Sequence, residues 1–222
     1  MSASTMQPNL DQLAGLTGVR AGALTRWQET GWPHSRVEQW RFTRLTSLEK
    51  MDLRPASAAA VAGTAAISAD LPENAAILSF SNGVLDVAGL AALPDGVTSS
   101  FLSENDTALA ELAASVPASH PVSDLSLAVM TSGLHLEIAG KVDVPIILAF
   151  TGDDTGVASH PVVSVKLADG ASAVLAEWHQ SAVGLSAPLM AIEVGDKARL
   201  DYAKVQHDSA QSAHLAATGL TL

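Results

Sequence analysis

A pattern that recurs three times between Leu136 and Tyr202 constrains this chain more than any other feature. Leu136–Ile146, Val165–Leu175 and Ile192–Tyr202 are each an alternating run, a small polar turn and a second alternating run, offset by 29 and 27 residues. A repeat of this length is the mark of a solenoid, because one unit cannot bury its apolar face alone and must stack on the next. Within each copy apolar residues occupy every second position, which is strand spacing and sends one set of side chains to one face. Strand–turn–strand units with no helix between them fit the coils of a β-helix. Val142, Ala171 and Ala198, just past each turn, are expected to point into a narrow interior, with Val165, Leu167, Leu175, Ile192, Val194 and Leu200 buried.

A chain of 222 residues that is 48% hydrophobic can build a sizeable core, and only 4% aromatics suits an interior filled by small and branched side chains. No apolar run approaches the roughly 20 residues that span a bilayer. Met1–Pro8 has neither a basic nor an apolar segment of a secretion signal, so a cytoplasmic protein is expected. With no cysteine there is no disulfide framework and no thiolate ligand. Charge is uneven: residues 1–55 hold seven Lys/Arg against five Asp/Glu, and the remainder five against eighteen. Such an acidic body does not suit nucleic acid or anionic lipid. The mildly basic N-terminal segment is either a solvated helical face or a surface that docks on acidic groups, its own included.

Residues 8–54 read as helices. Val19–Thr30 places Ala23, Leu24 and Trp27 on one stripe, with Gly31 where a helix stops and Pro33 just beyond. Ser35-Arg-Val-Glu38 has the form of a capping box for a second helix carrying Val37 and Trp40, and Thr46-Ser-Leu-Glu49 repeats it for a third. Trp27, Trp32 and Trp40 are read as packing anchors, with a partner-binding face as the alternative. An Ala/Ser/Gly-rich stretch from Pro55 to Ala69 suits a linker. Ser81-Asn-Gly83 between Ala76–Phe80 and Val84–Val87 predicts a hairpin, since Asn and Gly both tolerate positive φ. Val97–Leu102 reads as a strand. Glu104–Ser115 reads as a helix capped by Ser103 with Leu109 and Leu112 inward, and Asp124–Met130 as a short helix.

Gly31-Trp-Pro-His-Ser-Arg-Val-Glu-Gln-Trp-Arg-Phe-Thr43, followed by Leu45, resembles the N-terminal signature of the SufD family of the SUF iron–sulfur cluster assembly machinery. The Asn-Gly hairpin, Leu93-Pro-Asp-Gly-Val97, Thr131-Ser-Gly-Leu134, Lys141-Val-Asp-Val-Pro-Ile146, Ala158-Ser-His-Pro161, Gln206-His-Asp-Ser209 and His214-Leu215 follow in the family's order. Ser126 stands where the family commonly has Asn. The resemblance implies a non-catalytic scaffold that acts with a homologous SufB-type partner and a SufC-type ATPase, with the iron–sulfur cluster only as the product of that complex. It also implies that Thr218–Leu222, which opens a fourth copy, belongs to an N-terminal half whose later coils lie beyond.

The residues themselves suggest little catalytic chemistry. His135, His160, His179, His207 and His214 lie in or beside the repeats at intervals of 25, 19, 28 and 7 residues, so some could stack on neighbouring coils. None shares the His-x₃-His spacing of two ligands on one helical face, and they read as surface or turn residues. Asp153-Asp154 beside Gly152 lacks the further oxygen ligands of a calcium loop. No phosphate-binding loop, nucleophile elbow or His-Glu-x-x-His is present.

The sequence therefore predicts a mainly β fold with some α: an N-terminal helical domain over 1–55, a linker over 56–75, an α/β lead-in over 76–133, and a right-handed parallel β-helix over 134–222, apparently truncated. No catalytic, cofactor-binding or metal residue is assigned, and neither nucleic acid nor membrane is expected as a partner. Two alternatives stand beside the scaffold. One is a β-helix carbohydrate-active enzyme, which would cluster carboxylates and basic residues on one coil face. The other is a degenerate SufD-like interaction module.

Overall fold

The computed structural model describes residues 13, 15–43, 45, 48, 51, 53–56, 71–116, 120–152 and 156–222. Four strands lead into the repeats: β1 (Arg54–Pro55), β2 (Ala76–Ser81), β3 (Val84–Leu85) and β4 (Val97–Phe101). The first coil is β5 (Gly133–Ile138), β6 (Ile146–Gly152) and β7 (Val157–Ser159). The second is β8 (Val162–Leu167), β9 (Ser172–Ser181) and β10 (Gly184–Ser186), and the third β11 (Leu189–Val194), β12 (Arg199–Gln206) and β13 (Ser212–His214). A further strand, β14 (Ala217–Thr221), follows.

These strands stack into three faces of a β-solenoid, in parallel except for the antiparallel pairs β4–β5 and β2–β3 at the start of two faces. The first face runs β14-β11-β8-β5-β4, the second β12-β9-β6-β2-β3 and the third β1-β7-β10-β13. Register follows the sequence repeat. Leu136 pairs with Val165 and Val165 with Ile192 on the first face, while Ile146 pairs with Leu175 and Leu175 with Tyr202 on the second. Val142 and Ala171 are buried, and Ala198 packs against the same core. Of the six residues expected inside, Val165, Leu167, Leu175 and Ile192 are buried. Val194 and Leu200 are only half-buried: β14 pairs with β11 as far as Glu193, and β12 is the outer strand of its face.

The lead-in contributes to the solenoid itself. β2 lies parallel to β6 from Ala76↔Ile146 to Ser81↔Thr151, so the second face begins before residue 134. β2 and β3 form the expected hairpin, with Asn82 at φ 50° and Gly83 at φ 84°. Gly83 is needed twice over, because a Cβ there would also lie 2.8 Å from Ser159 Oγ. Pro55, placed at the start of the linker by sequence, is in β1, which pairs with β7. The rest of that linker falls almost wholly on residues outside the described ones.

Helices cover the outside of two faces. α1 (Gly18–Thr30), α2 (Asp106–Ser115) and α3 (Pro121–Val129) share a cluster with Val162, Leu189, Ala191 and Ala217 on the outside of the first face. α1 ends as predicted, at Gly31 with φ 65° and its N–H on Trp27 O at 2.7 Å. It docks on α3 by charge: Arg26 lies 2.7 Å from Asp124, and Arg20 donates to the carbonyls of Ala128 and Met130. The basic segment thus docks on an acidic group of its own chain. Trp32, Trp40, Leu45 and Leu48 pack with Val122, Leu185 and Ala213 on the outside of the third face, which is the packing role expected of these tryptophans.

Two expected caps are replaced. The Ser35 capping box does not form, because His34 starts a tighter turn in which its Nδ1 accepts from Arg36 N and its carbonyl from Val37 N. Only a 3₁₀ turn follows at Glu38–Trp40, leaving Val37 exposed. At α2 the cap is Asn105, whose side chain accepts from Ala108 N at 3.0 Å, since Leu102–Glu104 form a 3₁₀ turn off the end of β4. The third helix expected at Thr46–Glu49 falls on residues of which only Leu48 is described.

Candidate functional site

The interior of the second face changes character along its stack. Alternation turns the same positions of β2, β6, β9 and β12 inward. Two ladders result from the register, Leu78–Leu148–Glu177–Lys204 and Phe80–Phe150–His179–Gln206. The first two rungs of each, Leu78 and Leu148 and then Phe80 and Phe150, are apolar and buried, as close packing inside a solenoid requires. At β9 both ladders become polar while staying inside: Glu177 is 1% exposed and His179 0%.

Glu177 is heavily solvated by protein groups. Its Oε2 lies 2.7 Å from His179 Nε2 and 3.0 Å from Lys204 Nζ, and Tyr202 donates its hydroxyl proton to Oε1. A buried carboxylate tolerates its position only when paired and hydrogen-bonded in this way. The His179 ring stacks on Phe150 at 4.8 Å between centroids and meets the ring of His214 edge-on at 4.7 Å. Burial lowers the pKa of His179 against the opposing pull of Glu177, so the neutral ring with its proton on Nε2 is favoured. That tautomer leaves Nδ1 as an acceptor.

His214 reaches this place from β13 on the third face, and Asp208 from the corner between β12 and β13. Asp208 Oδ1 accepts from Ser181 N at 2.8 Å, and Oδ2 is 3.2 Å from His214 Nδ1. Burial works to raise the pKa of Asp208, but His214, the Ser181 amide and the Gln206 side chain together hold it below the usual value. His179 Nδ1 and Ser212 Oγ have no hydrogen-bond partner, and the contact between His214 Nδ1 and Asp208 Oδ2 is an ion pair without hydrogen-bond alignment. A buried polar atom without a partner costs about 1–3 kcal/mol, so the free Nδ1 of His179 is an expense for a fold that fills the same rung with Phe150 and Phe80 in the preceding strands.

The other histidines serve separately. His160, at the corner before β8, is buried, with Nδ1 3.0 Å from Ser126 Oγ; the Ser126 hydroxyl donates to Ala187 O at 2.9 Å. Burial pushes its pKa down to about 4. His135 is buried on the outside of the first face, 3.0 Å from Ser164 Oγ. Beside it Lys166 bridges Glu193 at 3.2 Å and Glu111 at 3.7 Å, which raises the lysine's pKa. His207 stacks on Trp178 at the surface. Three of the five histidines read as surface or turn residues are therefore buried, and two of the five, His179 and His214, come together. Asp153-Asp154 lies outside the described residues. Sequence reasoning passed over Glu177, Lys204 and Asp208. For the first two the signal was present: continuing the alternation from Ala173 and Leu175 puts 177 inward, and the 27-residue repeat puts 204 above it.

Clustered carboxylates with a basic residue are present here, but they face the solenoid interior rather than a groove on the coil surface. Among the described residues no helix is long and apolar enough to cross a membrane. No protein-family model matches the chain, and no curated protein matches it.

Proposed function

We propose that this chain is a non-catalytic, cytoplasmic scaffold of the SUF type, acting in iron–sulfur cluster assembly with a homologous SufB-type solenoid and a SufC-type ATPase. The observation that carries this reading is the coincidence of the SufD-like landmarks with the parts that frame the solenoid. The Asn-Gly turn closes β2–β3 against Ser159, Lys141–Ile146 spans the first corner into β6, and Ala158–Pro161 spans the corner into β8, where His160 is held by Ser126. The signature from Gly31 to Thr43 crosses the segment that lays Trp32 and Trp40 on the third face. A parallel solenoid with a helical segment on its flank offers flat faces along its stack, which suit assembly with a homologous solenoid. Without cysteine, the chain would contribute surface and position rather than thiolate ligands to a cluster.

The test is co-expression with the SufB-type and SufC-type proteins of the same source. A defined complex by size-exclusion chromatography with light scattering, and faster cluster assembly on it when this chain is included, is the expected result. Complex formation with no effect on assembly would leave only an interaction role. Failure to associate with either protein would remove the scaffold reading.

A further inference from the structure

Three buried polar atoms where the second and third coils meet, His179 Nδ1, His214 Nδ1 and Asp208 Oδ2, lack an aligned hydrogen bond, and their geometry supplies a common explanation. His214 Nδ1 and Asp208 Oδ2 are 3.2 Å apart yet lack hydrogen-bond alignment with each other. Two ligands of a tetrahedral ion with bonds of about 2.0–2.2 Å stand roughly 3.3 Å apart. His179 Nδ1, a third orphan, belongs to the ring that meets His214 edge-on. Each outer partner already holds its ligand in the required form. Glu177 accepts a hydrogen bond from His179 Nε2–H at 2.7 Å and so leaves Nδ1 free, while the Ser181 amide fixes the other oxygen of Asp208 at 2.8 Å. A carboxylate behind an imidazole ligand is the usual outer support of a metal-bound histidine.

We propose that His179, His214 and Asp208 form a binding site for one divalent first-row transition ion of the Zn²⁺ class, between the second and third coils. Two imidazoles and a carboxylate are the donor set such ions favour. This reverses the sequence-based expectation that none of the histidines is a ligand, and it does not rest on the scaffold reading. Among the described residues no three such groups are already spaced to close on one ion. His214 and Asp208 are therefore the preset pair, and binding draws the 207–211 corner and the His179 ring together around the ion. Glu177 and Asp208 face the site with Lys204 as the opposing cation, so the pocket favours a positive ligand. The His214 side chain is 13% exposed and that of Lys204 30%, which gives an ion a way in from the β12 side.

The experiment is titration of chelator-treated protein with Co²⁺, followed by its visible absorption, and with Zn²⁺, followed by calorimetry. One ion per chain is expected, with the intense absorption of low-coordinate cobalt. His214→Ala and Asp208→Asn should each weaken binding at least tenfold, Glu177→Gln by 10- to 100-fold through His179, and His207→Ala should leave it unchanged. Should those variants fold poorly, wild-type NMR decides independently: Zn²⁺ should shift the ring resonances of His179 and His214. No saturable binding, binding that survives both ligand substitutions, or shifts confined to His34, His120 or His207 would overturn the proposal.

Discussion

Lys204 stands one coil above Glu177, with Nζ 3.0 Å from Oε2, where the two preceding rungs of the same ladder are Leu148 and Leu78. The neighbouring ladder makes the same change from Phe80 and Phe150 to His179. Nothing in the coil geometry demands polar residues at these rungs, since the same positions one and two strands away are filled by apolar side chains. The polar interior is a feature carried by the fold rather than one that builds it.

That argument can be tested by extending the apolar ladders. Glu177→Leu alone leaves the buried His179 N–H, and also the Tyr202 hydroxyl and Lys204 ammonium, without their acceptor and should cost at least about 1–3 kcal/mol. Glu177→Leu combined with His179→Phe continues both ladders with the residues of the rungs below and should recover the part of that loss due to His179, because well-packed apolar residues often replace a buried polar pair at no net cost. Urea denaturation of both variants measures the difference. A double variant less stable than the single one would mean that the polar rungs are structural.

His160 makes stability depend on pH in a defined direction. Its folded pKa of about 4 lies below the ordinary value of 6.5, so the unfolded chain binds more protons between those limits. Stability should be full above pH 6.5, fall as the pH drops towards 4, and lose about 3 kcal/mol from this group, with little further change below. Urea midpoints at pH 7 and pH 4.5 measure it. His160→Gln should shrink the gap between them, and an unchanged gap would show that His160 is not the group responsible.

Gly83 is fixed both by its own backbone and by its neighbour. Gly83→Ala places a Cβ 2.8 Å from Ser159 Oγ and 3.2 Å from its Cα, at φ 84°. The strained backbone alone costs about 1–2 kcal/mol, and the approach of β7 adds to it. Ser159→Gly in the same chain should relieve the contact with the hydroxyl and recover part of the loss in thermal midpoint, never all of it. Full recovery would assign the whole effect to the clash.

The repeat was legible because two periods coincide in it. Alternation gave the strand faces, and the 27–29-residue offset aligned Leu136, Val165 and Ile192, then Ile146, Leu175 and Tyr202, in the register they adopt. What lay beyond reach was whatever depends on contacts distant in sequence. Nothing local in Ala76–Ser81 announces that it pairs with Ile146–Thr151. Ser35 and Ser103 satisfy the pattern of a cap, but His34 and Asn105 compete for the same backbone donors and take them. Asp208 and His214 meet only because the 207–211 corner turns back over Ser181. A corner of that kind has no periodicity from which to read it.

Amide hydrogen exchange tests the stacked-coil account most directly. β8 and β9 are paired on both sides, by β5 and β11 and by β6 and β12, whereas β14 is paired only with β11 among the described residues. Local opening of an outer strand breaks half as many ladder bonds, so exchange should report a graded stack. Amides of Val163–Leu167 and Ser172–Leu175 should be strongly protected, and those of Ala217–Thr221 should exchange orders of magnitude faster in a dilute sample. Val163–Leu175 exchanging as fast as Ala217–Thr221 would contradict the stack of parallel coils on which everything above is built.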